Sequence, residues 1–194
     1  MAKSIYQIQV ALVGSKPKIW RRLLIPSDMP LSDVHKVIQT AMGWANSHLH
    51  QFVKGKKYYA PVVEDDDSWD DTDSIDYKDI LVSDLLKAVK DKMEYEYDFG
   101  DGWEHTVELE AILPVDESAV YPFCVDGKMN CPVEDSGGVG GYQHMLAVLK
   151  DPAHEEYAEY MEWLGGDLDP TYFEKDEINE MFRMTDYGCL DMSF

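Results

Sequence analysis

The sequence predicts an α+β fold: a mostly antiparallel sheet built from hairpins, packed with helices concentrated in the C-terminal part. Three observations carry that expectation. Residues 5–13 and 93–111 alternate apolar and polar side chains at the two-residue period of strands. Three apolar patterns of helical spacing close the chain, at 142–149, 154–164 and 173–184. Strands come mostly first and helices last, so they do not interleave as in a βαβ series.

Taken in order, Tyr6, Ile8, Val10 and Leu12 form the stronger apolar stripe of the first segment, which reads as a half-buried strand. Gly14-Ser15-Lys16-Pro17 supplies a turn, and residues 19–25 return as the second arm of a hairpin. The Pro26 to Pro30 segment breaks the pattern. Leu31, Val34, His35, Ile38, Ala41 and Met42 then follow helical spacing up to Gly43. Residues 48–53 and 58–60 read as short strands around a lysine-rich turn. Ser83 is placed to cap a helix carrying Leu85, Leu86 and Val89.

The strongest hairpin follows. Met93, Tyr95, Tyr97 and Phe99 oppose Glu94, Glu96 and Asp98; Gly100-Asp101-Gly102 turns the chain; Trp103, His105, Val107, Leu109 and Ala111 oppose Glu104, Thr106, Glu108 and Glu110. It should form the centre of the sheet, with Tyr95, Tyr97, Trp103, Val107 and Leu109 in the core. A Pro/Gly-rich segment spans 114–141. Neither an internal repeat nor a linker interrupts the chain, so one domain over 1–194 is expected, long enough to bury a sizeable core.

Composition bounds the class. A hydrophobic content of 45% is too high for a disordered chain. No apolar run reaches the length of a membrane span, and the N-terminus enters a strand pattern without an apolar leader. Three cysteines, an odd number, fit a reducing cytoplasm.

The net charge of −21 is unevenly spread. Nine lysines and arginines face two aspartates in the first 60 residues, a surplus of +7 that leaves −28 for the rest. Lys16, Lys18, Arg21, Arg22, Lys54, Lys56 and Lys57 are the available phosphate contacts. The long-range field opposes them, so no specific nucleic-acid binding and no membrane binding are expected. An acidic loop at 64–79 sets nine carboxylates against Lys78. Read as a calcium loop from Asp65, it has Asp70 where the turn glycine belongs, so a mobile solvated loop is the expectation.

Candidate chemistry is scattered. Asp98-Phe99-Gly100 stands without the other parts of a kinase site, and Asp98 and Asp101 read as residues that accept turn amides. Gly137-Gly138-Val139-Gly140-Gly141 precedes a helical stretch but has no Gly-Lys-Ser/Thr, and Glu134 and Asp135 would repel phosphate; close backbone packing explains the run better. His48 and His50 share one face of a predicted strand, and His105 lies beside Trp103 on the apolar face; each is a candidate ligand or acid/base, or a hydrogen-bonded core histidine. Cys124 and Cys131 offer half of a tetrahedral zinc site, and the alternatives are a redox pair or inert buried thiols.

Several stretches together resemble the plasmid pRiA open-reading-frame-three-like family, also called the transposon passenger TnpR-like family. They are Ile19-Trp20-Arg21-Arg22, Met42-Gly43-Trp44, His48 to Phe52, Tyr97 to His105, Cys131 to Gly138, Gly141-Tyr142 and Asp167 to Pro170. The resemblance covers roughly residues 4–183 and implies a compact α+β domain of largely uncharacterised function. Ser136 stands where family members often carry a third cysteine, and Val133 where they carry a second proline, which weakens an inherited cysteine metal site. The chain lacks the nucleophilic serine, arginine cluster and basic arm of a serine resolvase, so the family label implies association with mobile elements rather than recombinase activity.

Two functional readings follow. The first is a cytoplasmic binding or interaction module, with an unknown protein partner and no chemistry of its own. The second is a metal-dependent or acid/base hydrolase built on His48, His50, Asp98, Asp101 and His105, with zinc as the one cofactor the residues suggest.

Overall fold

A computed structural model describes residues 4–61 and 74–190. Eight strands form one sheet, in the order β5-β4-β3-β6-β7-β1-β2-β8. They are β1 (Ser4–Leu12), β2 (Trp20–Pro26), β3 (His50–Lys54), β4 (Lys57–Ala60), β5 (Ser74–Asp76), β6 (Lys92–Tyr97), β7 (Trp103–Pro114) and β8 (Phe123–Lys128). Every pairing is antiparallel except β4 with β5. The fold is α+β, as the sequence patterns predict.

The β6–β7 hairpin occupies the middle of the sheet, with Tyr95 opposite His105 and Tyr97 opposite Trp103. Its apolar face continues across β1 and β2 through Ile8, Val10, Leu23 and Ile25, all fully buried. Helix α1 (Leu31–Met42) joins the same core with Leu31, Val34, Val37 and Ile38. It stops at Gly43, whose left-handed φ of 84° lets its N–H reach the Gln39 carbonyl at 2.8 Å. The opposite face of the sheet is polar: Arg22, Gln7 and Gln9 all converge on the Glu110 carboxylate.

Helices α3 (Gly138–Val148), α4 (Tyr157–Leu164) and α5 (Lys175–Met181) follow the last strand. No helix among the described residues is long and apolar enough to cross a membrane.

Five expectations need correction. The helix at Ser83 is the single turn α2 (Val82–Leu85), with Ser83 inside it. Asp91 Oδ2 accepts the Lys87 and Ala88 amides at 2.8 and 3.1 Å, which diverts them from helical carbonyls and leaves Val89 exposed. The Pro/Gly-rich 114–141 segment contains β8, paired antiparallel with β2. The strand expected from residue 48 begins at His50. Arg21, offered as a phosphate contact, is buried, with Nε donating to the Ala41 carbonyl at 2.8 Å and its guanidinium over the Phe173 ring. Of the acidic loop expected at 64–79, residues 64–73 lie outside the described residues, and its end carries β5.

Candidate functional site

Three chain segments meet at one end of the central hairpin: the link from α1 to β3, the β6–β7 turn, and the loop at 134–138. Their meeting follows from aromatic and carboxylate anchors. Trp44 stacks on Tyr97 with ring centroids 4.9 Å apart, and its Nε1 donates to the Pro132 carbonyl at 3.1 Å. The Tyr97 hydroxyl donates to the Glu134 carboxylate and accepts the Ser47 amide at 3.0 Å. Burial and that carboxylate both raise the Tyr97 pKa, so the phenol stays a proton donor. Ala45 N–H reaches the same Glu134 oxygen at 3.2 Å, which ties the loop to the α1–β3 link.

Asp98 sets the turn. Its N–H donates to the Leu49 carbonyl, and its Oδ1 accepts the Gly100 and Asp101 amides at 2.9 and 3.3 Å. This is the amide-accepting role its sequence position suggests. Asp101 instead reaches across to the loop, where Oδ2 accepts the Gly137 amide at 3.0 Å. The loop backbone lies so close that a Cβ on Gly138 would stand 2.3 Å from the Asp101 carbonyl oxygen. Close backbone packing is thus what the glycine run provides.

Into this junction projects His48. Its Nε2 lies 3.3 Å from Asp135 Oδ1 and 3.7 Å from Asp98 Oδ2. The ligand atoms of all three residues fall within 4.8 Å of one another. Nε2 is shut off from solvent, yet it is aligned for a hydrogen bond with neither carboxylate. Asp98 is buried, whereas the Asp135 side chain is 71% exposed. One imidazole nitrogen and two carboxylates form a ligand set suited to a divalent cation.

The other sequence candidates lie apart. His50 is buried, stacks on His35 with centroids 3.4 Å apart, and meets the Tyr77 hydroxyl at 2.7 Å. Burial, reinforced by His35, pushes its pKa well down. His105 is fully buried; Nδ1 donates to the Tyr95 carbonyl at 3.2 Å, and burial lowers its pKa to about 4. His48 and Asp98 therefore come together, Asp101 stands beside them through Gly137, and His50 and His105 belong to the core. Cys124 and Cys131 are buried near Arg21, and burial raises their thiols to about 11 and about 12.

Sequence reasoning missed Asp135 as a ligand candidate. The available signal was joint: the Tyr97 to His105 and Cys131 to Gly138 stretches both carry the family resemblance, and the fold places them side by side.

Beside the trio runs a groove of about 560 Å³ between residues 135–137 and α4, where Glu159, Tyr160, Glu162 and Trp163 line it. Its charged lining among the described residues consists of carboxylates. No residue of α4 is buried, and the Trp163 indole is 46% exposed.

Known proteins share this framework. The chain is 39% identical over 170 residues to the uncharacterised protein y4hQ of Sinorhizobium fredii, covering 85% of this chain and 83% of that protein. The crystal structure of MM3350, a protein of unknown function from Methanosarcina mazei Go1, superposes with a TM-score of 0.82 at 36% identity, over 91% of this chain and 98% of that one. The plasmid pRiA4b ORF-3-like family model matches residues 4–177, and the chain belongs to that family.

Proposed function

We propose that this protein is a cytoplasmic recognition module that takes a basic segment of a protein partner into the groove beside α4. The observation that carries this reading is the lining of the groove: Asp135, Glu159 and Glu162 supply negative charge around the exposed face of Trp163. A lysine or arginine side chain lies favourably over an indole, at about 0.5–2 kcal/mol depending on desolvation, and a carboxylate beside it adds a charge-assisted hydrogen bond. The net charge of −21 steers a basic partner inward and repels polyanions. The buried thiols of Cys124 and Cys131, which form no disulfide, fit a reducing compartment. The hydrolytic reading loses support because His50 and His105, two of its three histidines, are neutral core residues apart from His48 and Asp98.

The test is a fluorescence titration of the metal-free protein with short arginine/lysine peptides, with glutamate peptides of equal length as control. A saturable change with the basic peptides alone is expected. Trp163→Phe should remove the signal, and Glu159→Gln with Glu162→Gln should weaken binding about tenfold, near 1.4 kcal/mol. Equal affinity in that double variant would refute the assignment.

A further inference from the structure

We propose that His48, Asp98 and Asp135 form a binding site for a first-row divalent cation, at the inner end of the groove. The proposal goes beyond the recognition reading, with which it shares Asp135 alone.

The first support is spacing. Zinc lies about 2.0–2.2 Å from nitrogen and oxygen ligands, which in a tetrahedral shell puts neighbouring ligand atoms about 3.3–3.6 Å apart. His48 Nε2 already stands 3.3 Å from one carboxylate oxygen and 3.7 Å from the other. Both distances are within a few tenths of an ångström of that spacing, and the two carboxylate oxygens lie within 4.8 Å of each other, so rotation of the exposed Asp135 side chain would complete one face of a coordination shell. Because Asp135 is exposed, the remaining positions are open to water or to a ligand atom.

The second support is the state of Nε2. A buried polar atom without a hydrogen bond is unfavourable, because it has lost water and gained no partner. Nε2 is such an atom, between two carboxylates to which it is not aligned. A cation accepts its lone pair and turns the unfavourable burial into a bond. The ligands are also held in advance. Asp98 Oδ1 is fixed by two turn amides, leaving Oδ2 toward His48. The loop bearing Asp135 is anchored on either side, by Glu134 to Ala45 and by Gly137 to Asp101.

The donor set selects the class of metal. An imidazole favours zinc, iron, nickel or copper over calcium and magnesium, manganese binds more weakly and serves as a probe, and the two carboxylates balance the charge of a divalent ion. Affinity should follow Zn²⁺ above Mn²⁺ above Mg²⁺.

The experiment titrates the full chain with Mn²⁺, read by electron paramagnetic resonance and by broadening of amide resonances. One equivalent of Mn²⁺ should bind and broaden Gly100, Asp101 and Gly137 before any residue of the acidic 64–73 segment. Zn²⁺ should displace it, and equimolar Mg²⁺ should not. Loss of an outer-shell partner already weakens metal sites about 10–100-fold, so removing a ligand by His48→Gln or Asp135→Asn should cost at least about tenfold. Asp135 is exposed, so its variant keeps the fold, which the amide spectrum verifies. Manganese affinity unchanged in both variants, or broadening that begins in the 64–73 segment, would overturn the site. Peptide binding at Trp163 in metal-free protein would remain under either result, so the two readings fail separately.

Discussion

Acidification from pH 7 to 5 should destabilise this fold through histidines that it buries neutral. His105 is fully buried among Tyr95, Trp103 and Trp44, and its pKa falls to about 4. His35 falls to about 4 as well, driven by burial; its Asn46 partner works against the shift, and Lys36 adds to it. The network around His35 is complete for a neutral ring: Nε2 donates to Asn46 Oδ1, and Nδ1 accepts from the Tyr95 hydroxyl, which in turn accepts a hydrogen bond from Gln39 Nε2. In the unfolded chain both rings titrate near 6.5. The unfolded state therefore binds more protons between pH 6.5 and 4, so stability is intact above that window and falls as pH drops through it. A displacement of about 2.5 pH units corresponds to roughly 3 kcal/mol per ring below pH 4, and to about 2 kcal/mol per ring at pH 5. These two rings alone remove about 4 kcal/mol at pH 5, and His50, buried and pushed down in the same way, adds to the loss, against a typical total of 5–15 kcal/mol. Most carboxylates remain ionised above pH 5, so relief of their mutual repulsion does not mask the loss. Urea unfolding at pH 7, 6 and 5 measures it. His105→Gln should abolish about 2 kcal/mol of that pH-dependent loss and retain the share of His35 and His50, whatever its absolute stability. A His105 ring titrating near 6.5 by nuclear magnetic resonance, or a variant with the parent's pH slope, would refute the reasoning.

Three further outcomes are expected. Trp103, fully buried and 5.9 Å from Trp44, should cost about 3–5 kcal/mol on substitution by alanine; an unmoved urea midpoint would contradict its core position. Gly138→Ala combines a φ of 68° with a Cβ 2.3 Å from the Asp101 carbonyl, so a loss beyond the roughly 1–2 kcal/mol of the left-handed penalty alone is expected in thermal unfolding. Duplex DNA at about 0.15 M salt should show no sub-micromolar binding; sub-micromolar affinity abolished by Lys16→Glu with Lys56→Glu would reverse that expectation, whereas Arg21 is unsuitable for the test because its guanidinium holds three backbone carbonyls together.

The central hairpin was legible in the sequence because its alternation runs unbroken through Met93, Tyr95 and Tyr97 and resumes at Trp103 after a glycine-bounded turn. Helix α1 was legible for a similar reason, a periodic apolar stripe with a glycine stop. Strand β8 was not: six residues that include Asp126 and Gly127 carry little pattern, and an edge strand is specified mainly by its neighbour. At the site, local periodicity misled. The spacing of His48 and His50 implies a shared face only if both lie in the strand, and β3 starts at His50, so one ring turns to the junction and the other to the core. Asp135 left no one-dimensional trace, since its partners are 37 and 87 positions away and the loop is held by Glu134 and Gly137.

The place of β1 has a consequence for how the protein comes off the ribosome. That strand lies between β2 and β7, with Ile5 opposite Leu113, so it is sealed on its second edge by a segment made about 100 residues later. At about 5–20 residues per second the wait is several seconds. During it, the β1–β2 pair is a two-stranded ribbon with an open edge and an apolar face, marginal by itself and ready to pair with other chains. Removing the first dozen residues would therefore not trim a border. It would part β7 from β2 and divide the sheet.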